Sequence, residues 1–166
     1  MQNWMTDLNL ICAEPYKIGA IGTIGFIGLT AGSALFMNVS DKYGRRKTIL
    51  LAGIAPPLCI ILLIVAKKLN FLTLTLIYGL ILIMGLCYTT RSSTAYLYAS
   101  EILPEKYRLH FGSTIFMIDG FTTICTATFF GTLGSQDLYL MWSASISILA
   151  LFAFYLWAPE SPPYLL

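Results

Sequence analysis

Five long apolar stretches constrain the fold of this chain more than any other feature. A helix rises 1.5 Å per residue, so about 20 apolar residues cross the ~30 Å hydrocarbon core of a bilayer. The stretches cover, approximately, residues 18–38, 48–66, 71–100, 111–133 and 138–158. Each must be a helix, because a segment in lipid has to satisfy its backbone hydrogen bonds internally, and none shows the alternating polarity of a barrel strand. The sequence therefore predicts an all-α, polytopic membrane protein with five spans.

Composition excludes several other classes of protein. Only 11% of the residues are charged, against about 25% in a typical soluble domain. The net charge of +2 is too small, and too scattered, for a nucleic-acid interface. The chain has a single His and no catalytic or metal-ligating motif, which predicts that it is not an enzyme and needs no cofactor or metal. The four cysteines are scattered and are interpreted as small packing residues.

Basic residues in the short connections predict the orientation in the membrane. One side of the bilayer receives Lys42, Arg45, Arg46, Lys47, Lys106 and Arg108, and the other receives Lys17, Lys67 and Lys68. Because cytoplasmic loops carry the excess of Lys and Arg, the first group is placed in the cytoplasm. Residues 1–17, which lack the features of a signal peptide, are then extracellular, and 159–166 begin a cytoplasmic central loop. An external start before five spans suggests that a further helix belongs before residue 1.

Three motifs occur at the ends of the spans, in a fixed order. "SDKYGRRK" resembles the loop between the second and third helices of the major facilitator superfamily, usually G-x-x-x-D-x-x-G-R-[RK]. "YASEILPEKYR" is similar to the connection between the fourth and fifth helices, E-x-x-P-x-x-x-R. "PESPPYLL" is similar to the segment that follows the sixth helix in sugar porters and organic ion transporters. The chain thus looks like helices two to six of a twelve-helix carrier, part of its N-terminal six-helix bundle.

Within the superfamily, the chain looks closest to the organic cation/anion transporters or the sugar porters. "NLIC", with Cys12, and the pair Gly32-Ser33 fit the former branch. Departures occur at Met37, where the loop motif normally has Gly, and at Ile81 and Met84, where the fourth helix normally has Arg and Gln. These departures keep two alternatives open: a truncated or degenerate half-transporter without activity of its own, and a multi-span structural or adaptor protein.

The resemblance implies transport of a small organic solute, organic ion or sugar-like, by alternating access. The implied partners are the lipid bilayer, the solute, a first helix and a C-terminal six-helix half, and the implied location is the plasma membrane. The charged loops would form a cytoplasmic latch that holds one conformational state. Its predicted members are Asp41, Gly44, Arg45, Arg46, Glu101, Arg108 and Glu160. In this hypothesis Arg45 reaches Glu101 or Glu160; the alternative is that these charges only set topology.

Two charges lie well inside the predicted spans. Arg91 is ten residues before Glu101, and Asp119 is eleven after Arg108, so each lies ~15 Å from the shared connection. A charge at that depth costs at least ~2.5–3.5 kcal/mol unless it is paired or faces water. We therefore expect both to face a cavity or one another, either in a substrate or ion site or as a static pair. The flanking candidates for this cavity are Tyr88, Tyr96 and Thr122.

Overall fold

The computed structural model describes residues 14–69, 71–132 and 135–159, without the side chains of Met37 and Asn38. Five helices follow one another along the chain and no strand occurs in these ranges. They are α1 (Pro15–Tyr43), α2 (Arg45–Lys68), α3 (Leu74–Ile102), α4 (Glu105–Thr132) and α5 (Gln136–Trp157). All five are long and apolar enough to cross a membrane, and each overlaps one predicted span. The predicted all-α, polytopic fold is confirmed.

The polar connections at one end of the bundle are shorter than the sequence suggested. Gly44 alone separates α1 from α2, and it has a φ of 92°, a conformation that glycine adopts without steric penalty. Pro104 lies at the break between α3 and α4, where its ring cannot continue the preceding helix. We call this end, which carries the loops predicted to be cytoplasmic, the inner end, and the opposite end the outer end.

The helical bounds also differ from the predicted ones at the outer end. Pro15 begins α1 in the first-turn position that proline favours, so residues 15–17, predicted as part of the extracellular segment, are helical. Residues 1–13, with the matched Cys12, and residues 160–166, with the predicted latch residue Glu160, lie outside the described residues.

Helices α1 and α3 pack backbone against backbone. A β-carbon added to Gly28 would lie 2.6 Å from the Leu82 carbonyl oxygen, and one added to Gly32 would lie 2.6 Å from that of Leu86. From the other side, a β-carbon on Gly85 would lie 2.7 Å from the Gly25 carbonyl oxygen. Small residues permit this approach, which is how membrane helices gain packing energy without a hydrophobic driving force.

Helix α2 lies at the centre of the bundle, between α3 and α5. It supplies most of the buried apolar side chains, which are Ile49, Ala52, Cys59, Ile60 and Ala66. The helix continues through Pro56 and Pro57, and Pro57 is buried. In a membrane bundle, packing against neighbouring helices makes such prolines tolerable.

Helix α4 is attached more loosely than the others and has no buried residue. Near its outer end, Phe129 and Phe130 stack on Tyr139 of α5, with ring centroids 5.7 and 4.9 Å apart. Thr126 adds a hydroxyl contact of 3.4 Å to the same tyrosine. Below this contact a cavity separates α4 from the rest of the bundle.

Candidate functional site

A cavity of about 800 Å³ lies between α3, α4 and α5, with one residue of α2 on its wall. We call it the central cavity. Its size is within the range of small-molecule sites, about 300–1,000 Å³. The charged, aromatic and hydroxyl side chains on its wall are Tyr88, Arg91, Ser92, Ser93, Tyr96, Phe111, Phe116, Asp119, Ser147 and Phe154.

Arg91 and Asp119 both line the central cavity, from α3 and α4 respectively. Arg91 is 11 residues from the inner end of α3 and Asp119 is 14 from that of α4, so both lie near the middle of their helices. The stem of Arg91 packs beside Gly53 of α2. Within the described ranges neither side chain forms an ion pair with the other or with a third residue. The structure thus places the two opposite charges in the lining of one cavity, on different helices, without joining them.

The other predicted cavity residues separate into two groups. Tyr88 and Tyr96 lie on the wall of the cavity, and each is 47% exposed. Thr122 does not lie on the wall; its hydroxyl donates to the Asp119 carbonyl one turn earlier, 2.8 Å away. Such back-bonding is the usual way in which a helix satisfies a threonine in an apolar setting.

At the inner end, Arg45 joins two carboxylates. Its Nη2 lies 2.8 Å from Glu101 Oε1 and 3.4 Å from Asp41 Oδ1. The side chains of Arg45 and Glu101 are only 17% and 23% exposed, whereas that of Asp41 is 65% exposed. The pair with Glu101 therefore experiences less solvent screening and connects α2 to α3.

Arg46 binds the end of α5. Its Nη2 donates to the Tyr155 carbonyl oxygen over 2.8 Å, and its guanidinium lies 5.8 Å from the Tyr155 ring centroid. Tyr155 is among the last four residues of α5, whose carbonyls have no partner within the helix. Arg46 thus caps α5 with a charge that suits the negative end of its dipole.

Sequence reasoning missed Tyr98, which ties α3 to the same end of α5. Its hydroxyl donates to the Pro159 carbonyl oxygen, and its ring meets Phe154 edge-on with centroids 5.8 Å apart. The spacing could have pointed to it, because Tyr98 lies one helical turn before Glu101 on the same face. We call Asp41, Arg45, Arg46 and Glu101 the inner charge cluster.

Three buried polar atoms of the inner charge cluster lack a hydrogen-bond partner in the described part of the chain: Arg45 Nη1, Arg46 Nε and Glu101 Oε2. Leaving such groups unpaired costs about 1–3 kcal/mol each. The cluster therefore has unused capacity for a further acceptor and a further donor.

Two other predicted latch residues have local roles. Gly44 makes the turn between α1 and α2, and its carbonyl oxygen accepts hydrogen bonds from the backbone and hydroxyl of Thr48. Arg108 is exposed, and its Nε donates to the Leu103 carbonyl oxygen over 3.2 Å, so the structure does not bring it into the inner charge cluster.

The outer end carries its own ion pairs. Lys67 of α2 lies 2.7 Å from Asp137 of α5, and the two side chains are 29% and 50% exposed. Lys17 lies 2.9 Å from Glu14 and lowers the pKa of that carboxyl, chiefly by donating a hydrogen bond to it. No sequence motif marks the Lys67–Asp137 pair, which depends on how α2 and α5 meet. No cluster in the described ranges is suited to a metal ion.

These features define the class of protein: an integral, multi-pass membrane bundle with a cavity that two mid-helix charges line. The chain belongs to the "Sugar (and other) transporter" family, whose model matches residues 11–166. The predicted resemblance to the major facilitator superfamily, in its organic cation transporter or sugar porter branch, is confirmed.

Three curated relatives support this membership. They are the mouse "Solute carrier family 22 member 4", 25% identical, the fruit fly "Organic cation transporter-like protein", 27% identical, and the rat "Organic cation/carnitine transporter 2", 24% identical. Each match covers 98% of this chain and 28% of the relative, so the chain spans less than a third of their length. No solved structure matches the chain.

Proposed function

We propose that this chain forms part of the N-terminal half of a carrier, rather than an enzyme, that moves a small organic ion across the plasma membrane by alternating access. The observation that carries the proposal is the central cavity, which Arg91 and Asp119 line at mid-helix depth from two different helices. Carriers of this architecture hold solutes near the bilayer midplane, at the interface between two halves. A first helix and a second six-helix half are the partners that the proposal requires.

The chemistry of the cavity suits an ion with a cationic group. The Asp119 carboxylate would attract an ammonium group, and the faces of Tyr88 and Tyr96 would add cation–π attraction. Arg91 would bind a carboxylate if the solute carries one. The relatives' names mention organic cations and carnitine, which fit this arrangement better than an uncharged sugar.

The inner charge cluster is proposed to act as the latch, with its charged side facing the cytoplasm. Its unpaired atoms, Arg45 Nη1, Arg46 Nε and Glu101 Oε2, would be completed in one conformational state and released in the other. Glu160, which the resemblance assigns to the latch and which follows Pro159 in the sequence, is the proposed further acceptor. Arg108 would join only if α4 moved toward the cluster.

The test is uptake by oocytes that express the reading frame containing this chain. Tetraethylammonium, carnitine and glucose are compared. We expect Asp119→Asn to lower uptake of both cationic solutes about tenfold or more, and Arg91→Gln to lower uptake of carnitine more than of tetraethylammonium. Glu105→Gln and Lys106→Gln, at the exposed start of α4, are matched controls that remove a charge outside the cavity. Equal effects of Asp119→Asn and Glu105→Gln would contradict the proposed site.

The half-transporter alternative makes a different prediction. Stop codons immediately upstream and downstream of the 166 codons would favour it, whereas in-frame coding for one helix before and six after would favour the complete carrier. Transport by this chain alone in proteoliposomes would contradict the proposal that a second half is needed. The double variant Arg91→Asp with Asp119→Arg distinguishes a static ion pair from a solute site. If the two residues only form a static pair, the double change should restore the uptake that each single change abolishes.

A further inference from the structure

A second, smaller cavity opens at the outer end, where four helices converge. It measures about 360 Å³ and lies between α1, α2, α3 and α5. We call it the outer crevice. Its wall is apolar except at one end, and its residues are Ile21, Leu63, Ile64, Lys67, Leu72, Ile77, Ile81, Gln136, Asp137 and Leu140. It shares no residue with the central cavity.

The polar end of the outer crevice lies at the boundary between membrane and water. Lys67 is in the last turn of α2, and Asp137 is in the first turn of α5. Their side chains meet at 2.7 Å and stay 29% and 50% exposed, so a further group can reach both from the solvent side. Lys68, the next residue and the last of α2, is exposed but does not line the crevice. The entrance thus presents one ammonium group and one carboxylate, and the adjacent residue of α2 carries a second ammonium group.

The apolar part runs from this entrance toward the bilayer interior. Ile81 is seven residues after the start of α3 and Ile21 is six after the start of α1, which corresponds to depths of about 10 Å and 9 Å. Aliphatic side chains alone line this depth, so water would find no hydrogen-bond partners there. The surrounding bilayer supplies hydrocarbon chains that can fill it.

We propose that the outer crevice binds one acyl chain of a zwitterionic phospholipid, with the phosphate at Lys67 and Lys68 and the headgroup ammonium at Asp137. The pairing follows from charge: a phosphate next to an ammonium matches two amines next to a carboxylate. The acyl chain contacts all four helices at once and fills a space that would otherwise weaken their packing. The lipid is therefore a structural ligand of the bundle, and this assignment does not depend on the proposed function.

The first test maps contacts with a photoreactive phosphatidylcholine that carries a diazirine in its acyl chain. The full chain is reconstituted in nanodiscs, illuminated and analysed by peptide mass spectrometry. We expect cross-links on peptides that contain Leu63, Ile64 and Ile77. The larger side chain of Ile64→Trp should occupy part of the crevice and exclude about two methylene groups of the acyl chain. This loss of contact should lower the yield of cross-links about tenfold. Ile61→Trp, at an exposed position on the same helix, is the matched control and should leave it unchanged.

The second test concerns the headgroup. Phosphatidylcholine is compared with phosphatidylglycerol, which has the phosphate but no ammonium. We expect Asp137→Asn to reduce the yield with phosphatidylcholine several-fold more than with phosphatidylglycerol, and Lys67→Gln with Lys68→Gln to reduce both. Circular dichroism of each variant verifies that the helices are intact. Cross-links spread evenly over all five helices, or yields that Ile64→Trp and Ile61→Trp lower equally, would overturn the proposal.

Discussion

At the scale of single residues, the inner end of the bundle carries basic side chains at a position that the dipole of their own helix disfavours. Arg45 and Arg46 begin α2, where the positive end of the helix dipole disfavours basic side chains. Glu101 neutralises Arg45, and the Tyr155 carbonyl near the C-terminus of α5 accepts a hydrogen bond from Arg46. The two arginines therefore connect three helices rather than merely setting topology.

The Arg45–Glu101 pair should be coupled energetically. In a double-mutant cycle with Arg45→Gln and Glu101→Gln, we expect a coupling free energy of about 1–2 kcal/mol, because both side chains are mostly buried. The measurement is reversible unfolding of the purified chain in detergent. Asp41→Asn, at a largely exposed partner 3.4 Å away, should change the free energy of unfolding by less than about 0.5 kcal/mol. A larger effect for Asp41 than for Glu101 would reverse this ranking.

Tyr98 should contribute through its hydroxyl. The residue is 8% exposed and donates to the Pro159 carbonyl, so Tyr98→Phe should lower the free energy of unfolding by about 1 kcal/mol. The control is Tyr155→Phe, which removes a hydroxyl from a side chain that is 58% exposed and keeps the backbone carbonyl that Arg46 binds. Equal values for the two variants would show that the Tyr98 hydrogen bond adds no stability.

At the scale of helices, hydropathy predicted the type of every element but not how the elements end or meet. The spans were recognisable because lipid requires about 20 apolar residues. The polar turns were predicted too long, since Gly44 and Pro104 reduce them to a few residues. The contact of Gly28 and Gly32 with α3 depends on how the helices assemble, because small residues permit a close approach without specifying the partner helix.

The contact between α1 and α3 predicts a clear difference between glycines. Gly28→Ala and Gly32→Ala each place a β-carbon 2.6 Å from a backbone oxygen of α3, so each should destabilise the bundle by about 1–3 kcal/mol. Gly22→Ala on the same helix meets nothing within 4 Å and should be neutral or up to about 1 kcal/mol stabilising. Thermal unfolding in detergent compares the three variants. Tolerance of alanine at both Gly28 and Gly32 would refute the close contact.

At the scale of the whole molecule, the sequence located the charges but not their surroundings. Arg91 and Asp119 could be found because charges are rare inside spans, and in the structure both line the central cavity. The Lys67–Asp137 pair and the outer crevice could not be predicted, because they arise where helices distant in sequence converge. A local sequence pattern predicts how deep a residue lies along its own helix. Its neighbours on other helices are known only from the assembled bundle.

The predicted orientation has a direct test. In a background with the four native cysteines replaced by serine, Lys42→Cys and Lys106→Cys should react with a membrane-impermeant maleimide only when the cytoplasmic side is exposed. Lys68→Cys, at the other end of α2, should react in intact cells. Labelling of Lys42→Cys from the outside would invert the topology.

The weak attachment of α4 has a consequence for how the protein is made. This helix carries Asp119 at mid-depth and buries none of its residues, so lipid alone offers it a poor environment. As the chain leaves the ribosome, retention of α4 in the bilayer should depend on neighbours that are made later, such as Tyr139 of α5, whose ring contacts Phe130. Membrane quality-control proteases should therefore recognise α4 first whenever assembly stalls.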